Sequence, residues 1–297
     1  MDADALDKKV QEFVTEARTG SIEARLSLRK ELDALFDLPH DALHEQQRNE
    51  VLDYVIRQLI EEKLPEKLAS MSFNDSNIAY EARTVPAIRS DGSSFYLSGD
   101  MHFFYALDSR NYVLGRMDGS GHGVKAAVIV FAACKYIEEC IQQRILLPGD
   151  FAYYINERLV RLVPRGNFST LFMSVLDDKR IQFTDIGDGR TFLYEPGKAS
   201  LTRIFGKGPV LGAITPEQMQ KLNVKYKTEE RNLSSGDLVV SFSDGVYERI
   251  GYDASKVDDI IVSGQSISSI VTGIMKYALG MPHQETDDVT VIGLTVK

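Results

Sequence analysis

In the first 70 residues, apolar side chains recur three and four positions apart. Val10, Phe13, Val14 and Ala17 make one such stripe, and Val51, Tyr54, Val55 and Leu59 make another. This spacing places side chains on one face of a helix. The second stripe lies in "DALHEQQRNEVLDYVIRQLIEEKL" (41–64), where Asp41, just after Pro39, is a candidate cap. Such a segment is either a small bundle packed on the rest of the chain or a helical module for dimerisation or signal input.

From about residue 77 the period changes to two. "IAYEARTV" (78–85), "SFYLSGDMHFFYAL" (94–107) and "NYVLGRMD" (111–118) alternate like half-buried strands, with "DSRN" (108–111) as a turn. Two helical stretches follow. Ala127, Val130, Cys134, Ile137 and Ile141 recur every three or four residues, and "GDFAYYINERLVRLV" (149–163) comes after Pro148. Strand rhythm resumes in "STLFMSVLD" (169–177), "RIQFTDIGD" (180–188), "RTFLYEP" (190–196), "SLTRIF" (200–205), "LNVKYKTEERNL" (222–233) and "DLVVSFSDGV" (237–246). A helix, "SISSIVTGIMKYAL" (266–279), precedes the last strand, "DDVTVIGLTV" (287–296). Short turns between most strands predict mainly antiparallel pairing. Helices inserted in pairs predict a layered α+β fold.

Composition narrows the function classes. A chain of 297 residues that is 43% apolar and 26% charged can bury a substantial core. The net charge of −9 and the lack of a Lys/Arg cluster argue against nucleic-acid binding. "MDADALDKKVQEF" shows no secretory leader, and the longest strongly apolar run, "AAVIVFAAC" (126–134), is far short of the roughly 20 residues that span a bilayer. No membrane insertion and a cytoplasmic location are expected. Cys134 and Cys140 fall on different faces of one predicted helix, roughly 9 Å apart along its axis. That is too far to bridge, so both are expected as reduced, semi-buried thiols.

Candidate chemistry lies in the acids. Asp100, Asp118, Asp244 and the pair Asp287–Asp288 each sit at the edge of an apolar strand, mostly beside glycine. One Asp-Gly after a strand is ordinarily a turn; four such sites gain meaning if the strand ends meet at one sheet edge. Converging carboxylates repel and lose hydration unless a cation neutralises them. A donor set of oxygens alone, with no paired cysteines and no His-x-x-x-His, favours Mg²⁺ or Mn²⁺ over zinc. In "DGSGHG" (118–123) the glycines would let backbone pass close to an ion and turn the Gly119 carbonyl inward. Two rival readings of this loop fit less well. "GSGHGVK" lacks the spacing of a phosphate-binding P-loop, and a nucleotide lid of the histidine-kinase type needs an upstream helix where strand is predicted.

With these residues in hand, the chain resembles the metal-dependent serine/threonine phosphatases of the PPM (PP2C-like) superfamily, in their SpoIIE/RsbU-type branch. The resemblance covers about residues 77–297. "SGD" (98–100), "DGSGHG", "STLFMSVLD", "GDLVVSFSDGV" (236–246) and "DDVTV" (287–291) follow in that family's order, and "GKGPVLGAI" (206–214) resembles its Gly-x-Pro-Leu-Gly segment. It implies an α-β-β-α sandwich of two mainly antiparallel sheets flanked by helices over 71–297, with residues 1–70 as a helical regulatory or dimerising module. The candidate linker is "EEKLPEKLASMSFNDSN" (61–77).

The resemblance also implies a site. Asp118 would bridge two Mn²⁺ or Mg²⁺ ions and Gly119 would lend its main-chain carbonyl. Asp100 and Asp244 would hold the metals from neighbouring strands, and Asp287 would be the last ligand, with Asp288 as fallback. The implied activity is removal of phosphate from serine or threonine by metal-activated water. The implied substrate is a phosphorylated STAS-type anti-sigma-factor antagonist, and a homodimer would form through the N-terminal helices. A small-molecule phosphatase and a non-catalytic, metal-stabilised binding module are the alternatives. His122 is expected to be hydrogen-bonded within its loop rather than to serve as an acid, Lys125 to be solvated, and Ser120 to be a local cap. The chain departs from the family pattern at Ser98, at Phe103 in place of an aspartate, and at Asp188, where histidine is common.

Overall fold

The two rhythms in the sequence separate into layers. The structure, a computed structural model, describes residues 3–36, 42–62, 69–89, 93–164, 166–187, 190–204, 208–250, 255–281 and 287–297. The strands are β1 (Ser70–Asn74), β2 (Ile78–Val85), β3 (Asp100–Ala106), β4 (Asn111–Gly119), β5 (Ser169–Asp177), β6 (Arg180–Ile186), β7 (Thr191–Glu195), β8 (Ser200–Ile204), β9 (Glu229–Asn232), β10 (Leu238–Phe242) and β11 (Val289–Val296). They form one sheet in the order β1-β2-β11-β10-β7-β8 and a second in the order β3-β4-β5-β6-β9. Every pairing within them is antiparallel. The layered sandwich expected from the sequence is the fold observed.

Three apolar clusters cement the layers. Tyr80, Tyr112, Leu114, Phe172, Phe183 and Ile292 fill the space between the two sheets. Helices α7 (Asp244–Arg249), α8 (Ser255–Ser263) and α9 (Ile267–Leu279) cover the outer face of the first sheet through Val246, Val257, Ile270 and Ile274, packed with Val240, Phe242 and Val291. On the second sheet lie α4 (Gly123–Gln142) and α5 (Pro148–Leu162), which share a core with α1 (Ala3–Arg18), α2 (Ile22–Asp33) and α3 (Ala42–Ile60). The short α6 (Pro216–Leu222) starts with a capping box of Thr215 and Gln218.

This arrangement explains why α4 is apolar nearly all round. One face lies on the sheet and another under α1 and α3, so Val128, Phe131 and Ala132 are buried along with the predicted stripe residues Ala127, Val130, Cys134 and Ile137. A helix covered on both sides cannot be amphipathic. Cys134 and Cys140 are free, buried thiols in this helix; burial raises both, Cys140 to about 12.

Some expectations fail locally. Ser70–Asn74, within the candidate linker, is strand β1, paired to β2 from Ser70↔Arg83 to Asn74↔Ala79. Residues 63–68, Asp41, Asp188 and Gly206–Lys207 lie outside the described residues. β3 starts only at Asp100, so Ser94–Gly99 is not continuous strand, and of "LNVKYKTEERNL" only Glu229–Asn232 is. Helices α6, α7 and α8 are too short for their periodicity to stand out against the neighbouring strands.

Candidate metal centre

β3 and β4 are neighbours in the ladder, and their register sets Asp100 opposite Asp118. Residues directly opposite share one face of a sheet. On β4 that face carries Tyr112 and Leu114 into the space between the sheets, whereas Val113 and Met117 point to the helices. Asp100 and Asp118 therefore stand at the end of the intersheet space. The other sheet supplies its acids at the same end. β10 stops at Phe242, Ser243 becomes the N-cap of α7, and Asp244 is that helix's first residue. The amide of Ser243 donates to Thr290 O at 3.0 Å and the Thr290 amide donates to Ser243 Oγ at 2.9 Å. This exchange clamps Asp244 beside the start of β11 and the preceding Asp287–Asp288.

Carboxylate oxygens of Asp244, Glu248 and Asp287 lie within 4.8 Å of one another. Glu248 sits one helical turn after Asp244. Asp100 is almost fully buried and receives a hydrogen bond from the Ser243 hydroxyl. Its Oδ2 has no hydrogen-bond partner among the described residues. Burial, reinforced by the Asp288 carboxylate, pushes Asp100 well above the usual carboxylate range. Asp287 is also raised, first by burial and then by Glu248 beside it.

Asp288 occupies a different environment. Its Oδ1 accepts from the Ala87 amide at 2.8 Å and the Ser98 hydroxyl at 3.0 Å, and its Oδ2 from the Gly99 amide at 2.8 Å. Both oxygens are engaged in holding the backbone that leads into Asp100. Among the described residues, Asp287 has only its Oδ1 tied locally, by the Asp288 amide at 2.8 Å, and it faces Asp244 and Glu248.

These residues fit a hard cation. An orphaned buried carboxylate oxygen, clustered acids and a donor set of oxygens are costly without a positive charge between them. A consequence can be measured on the metal-free protein. Asp100 and Asp288 both bind protons more tightly folded than unfolded. Their contribution is most favourable below the ordinary carboxylate value of about 3.9 and declines as pH rises towards the raised folded values. Thermal melts in chelator between pH 4.5 and 7.5 should show the melting temperature falling with pH across this window for these groups. Saturating Mn²⁺ should flatten or reverse the slope, and a metal-free slope of the opposite sign that Asp100→Asn leaves unchanged would contradict the reading.

The family model for stage II sporulation protein E (SpoIIE) matches residues 108–297. The chain belongs to the SpoIIE family. A curated relative, the phosphoserine phosphatase RsbU of Bacillus subtilis, is 26% identical over 154 residues, covering 51% of this chain and 43% of the relative. The chain thus matches less than half the length of that protein. Among solved structures, RsbX in complex with magnesium aligns with a TM-score of 0.60 at 16% identity, over 77% of this chain and 100% of RsbX. The PP2C phosphatase domain of SpoIIE from Bacillus subtilis, with a fragment of its regulatory domain, aligns with a TM-score of 0.57 at 15% identity, over 84% of this chain and 93% of that one. At these identities the likeness establishes the fold.

Within this SpoIIE-family site the loop residues divide by role. The Gly119 amide donates to Gly99 O at 2.9 Å, tying the β4 end to the segment before Asp100. A Cβ at Gly119 would lie 2.8 Å from the Ala126 carbonyl oxygen, so only glycine lets β4 pass this close to α4. The Ser120 hydroxyl accepts the Phe168 amide at 3.0 Å, a long-range tie in place of the local cap expected, and Lys125 is exposed. His122 differs from expectation. It occupies the N-cap position of α4 without a side-chain cap bond, and its ring packs on Phe95 with centroids 4.7 Å apart. Two residues were missed from sequence. Glu248 carried a signal, an acid four positions after Asp244 at a helix start. Arg190 carried none; its guanidinium lies 3.6 Å from Asp244 Oδ2 and over the Tyr247 ring.

Proposed function

We propose that this chain is a metal-dependent protein serine/threonine phosphatase that dephosphorylates a signalling partner. The observation that carries the reading is the convergence of Asp244, Glu248 and Asp287, with the buried Asp100, whose Oδ2 has no hydrogen-bond partner among the described residues, at one end of the sandwich. Asp100, Asp118, Asp244 and Asp287, with the Gly119 carbonyl, would hold two Mn²⁺ or Mg²⁺ ions, with Asp118 between them. When bound, such ions lower the pKa of a water molecule and offset charge on the phosphoryl group. The chain's own residues orient that chemistry. Asp118 and Asp100 are fixed by the β3–β4 ladder, Asp244 by the cap of α7, and Asp288 by holding the Asp100 approach rather than by binding an ion. Water adds to phosphorus, the serine or threonine oxygen leaves with a proton, and inorganic phosphate is released.

The relative named as a phosphoserine phosphatase supports this substrate class. The partner we infer is a phosphorylated STAS-type protein in a partner-switching pathway. Residues 1–70 are assigned as a regulatory module, and residues 71–297 as the phosphatase domain. Ile22 and Leu26, one turn apart on α2, are 76% and 61% exposed and offer a self-association face for a homodimer. No helix among the described residues is long and apolar enough to cross a membrane.

The test is phosphate release from a phosphoserine protein with added Mn²⁺, comparing wild type with Asp118→Asn. Loss of even an outer partner of a metal ligand costs roughly 10–100-fold, so losing a bridging ligand should cost at least about a hundredfold. Wild-type protein that binds Mn²⁺ yet releases no phosphate from any phosphoprotein tried would favour the non-catalytic binding module.

A further inference from the structure

On α1 the buried face reads Leu6, Asp7, Val10, Val14 and Ala17. One charged residue stands where packing asks for an apolar one, and it is fully buried. Its partners lie far along the chain. The Asp7 carboxylate accepts from the Arg89 guanidinium, from the Tyr96 amide at 2.8 Å and from the Leu97 amide at 3.3 Å. Arg89 is itself 5% exposed. It donates onward to the Ser93 hydroxyl and the Ser94 carbonyl, both at 2.9 Å, and lies 4.9 Å from the Phe95 ring. Phe95 in turn packs on His122, four residues after Asp118.

The same segment is held from its other side. Ala87, Ser98 and Gly99 donate to Asp288, and the Gly99 carbonyl accepts the Gly119 amide. The stretch before β3 thus hangs between two buried carboxylates, one on the N-terminal helix and one at the metal centre. Among the described residues its sheet pairing is the isolated bridge Ile88↔Ser94, closed by the Arg89 amide donating to Ser93 O and the Phe95 amide to Ala87 O. Without Asp7, the amides of Tyr96 and Leu97 and the Arg89 guanidinium would lose their acceptor, and buried donors left unpaired force a backbone to rearrange.

We propose that Asp7 is a positioning residue for the metal centre, holding Arg89 and residues 93–99 from α1 so that Asp100 and Asp288 keep their places. This rests on the phosphatase reading above for its functional consequence, though the mechanical link does not. Asp7 and Arg89 both precede residue 108, where the match to the family model begins. The clamp therefore couples a helix outside the matched segment to Asp288 inside it, and to Asp100, which also precedes residue 108. A buried ion pair is weak evidence of net stability, and the proposed use of this one is to set geometry.

The experiment uses the full chain with Asp7→Asn, Arg89→Gln and, as a control, Val10→Ala, a core truncation one turn away on the same helix. Hydrogen exchange is followed at residues 93–99 and 119–123 in metal-free protein, and Mn²⁺ affinity by calorimetry. Asp7→Asn and Arg89→Gln should each speed exchange in both segments and weaken Mn²⁺ binding by about 10–100-fold, as outer partners of metal ligands do. Val10→Ala should lower the melting temperature yet leave both readouts near wild type. If Asp7→Asn does not fold, Arg89→Gln carries the test. Unchanged exchange in the folded variants, equal changes in Val10→Ala, or faster exchange with unaltered Mn²⁺ affinity would each overturn the proposal. Wild-type protein that binds no Mn²⁺, with the exchange pattern still as expected, would instead refute the phosphatase reading and leave the clamp standing.

Discussion

Asp100→Asn should abolish Mn²⁺-dependent phosphate release while raising the melting temperature of the metal-free protein. The two effects have one cause. Asp100 is buried, its Oδ2 has no hydrogen-bond partner among the described residues, and Asp288 repels it. Neutralising it removes a desolvated charge, and each kcal/mol so relieved raises the melting temperature by about 2–4 °C in a domain of this size. The same substitution removes an anionic ligand, so turnover should fall by at least about a hundredfold. Opposite movements of stability and activity mark a site whose strain serves function. Calorimetric melts in chelator and phosphate-release assays on one preparation decide it; a variant less stable without metal and still active would show that Asp100 serves the fold instead.

The neighbouring pair Asp287 and Asp288 should separate just as sharply. Asp288→Ala strips the acceptor from the Ala87 and Gly99 amides and the Ser98 hydroxyl. Buried donors left unpaired cost about 1–3 kcal/mol each, so this variant should lose several kcal/mol and melt roughly 10 °C lower. Asp287→Asn keeps the one local bond its Oδ1 makes and should melt near wild type, yet bind Mn²⁺ at least about tenfold more weakly. The reverse pattern, with Asp288→Ala stable but blind to metal, would transfer the ligand role to Asp288.

Most of the architecture was legible in the chain. Stripes at helical spacing fell where α1, α3, α4 and α9 lie, because a helix on a core must repeat its apolar positions every three or four residues. Apolar alternation located most of the strands for the same kind of reason. What escaped was short or shaped from outside. Strand β1 hid in "SMSFN", a five-residue edge whose burial alternates only weakly. Ser94–Gly99 reads as strand because Phe95 and Leu97, both buried, stand two apart; its Tyr96, Leu97 and Gly99 amides donate to Asp7 and Asp288 rather than to a neighbouring strand.

The candidate site divides in the same way. Strand-end acids, mostly beside glycines, are a local pattern, so Asp100, Asp118, Asp244 and the pair Asp287–Asp288 could be named from sequence as candidates. Their convergence could not be, since it depends on the order β2-β11-β10 in one sheet and β3-β4 in the other. Nor could the sequence divide Asp287 from Asp288. Adjacent residues of one type are distinguished only by what surrounds them, and here three donors from residues 87–99 surround the second. Arg190 beside Asp244 and Asp7 beneath the loop are likewise long-range partners, 54 and about 90 residues from what they touch. By itself the sequence determined most of the elements, the layered class and the acids available for chemistry, because periodicity and residue type are local properties. Tertiary structure decided which acids face one another and which serve as scaffold, because burial and hydrogen bonding are set by the segments that pack around a residue.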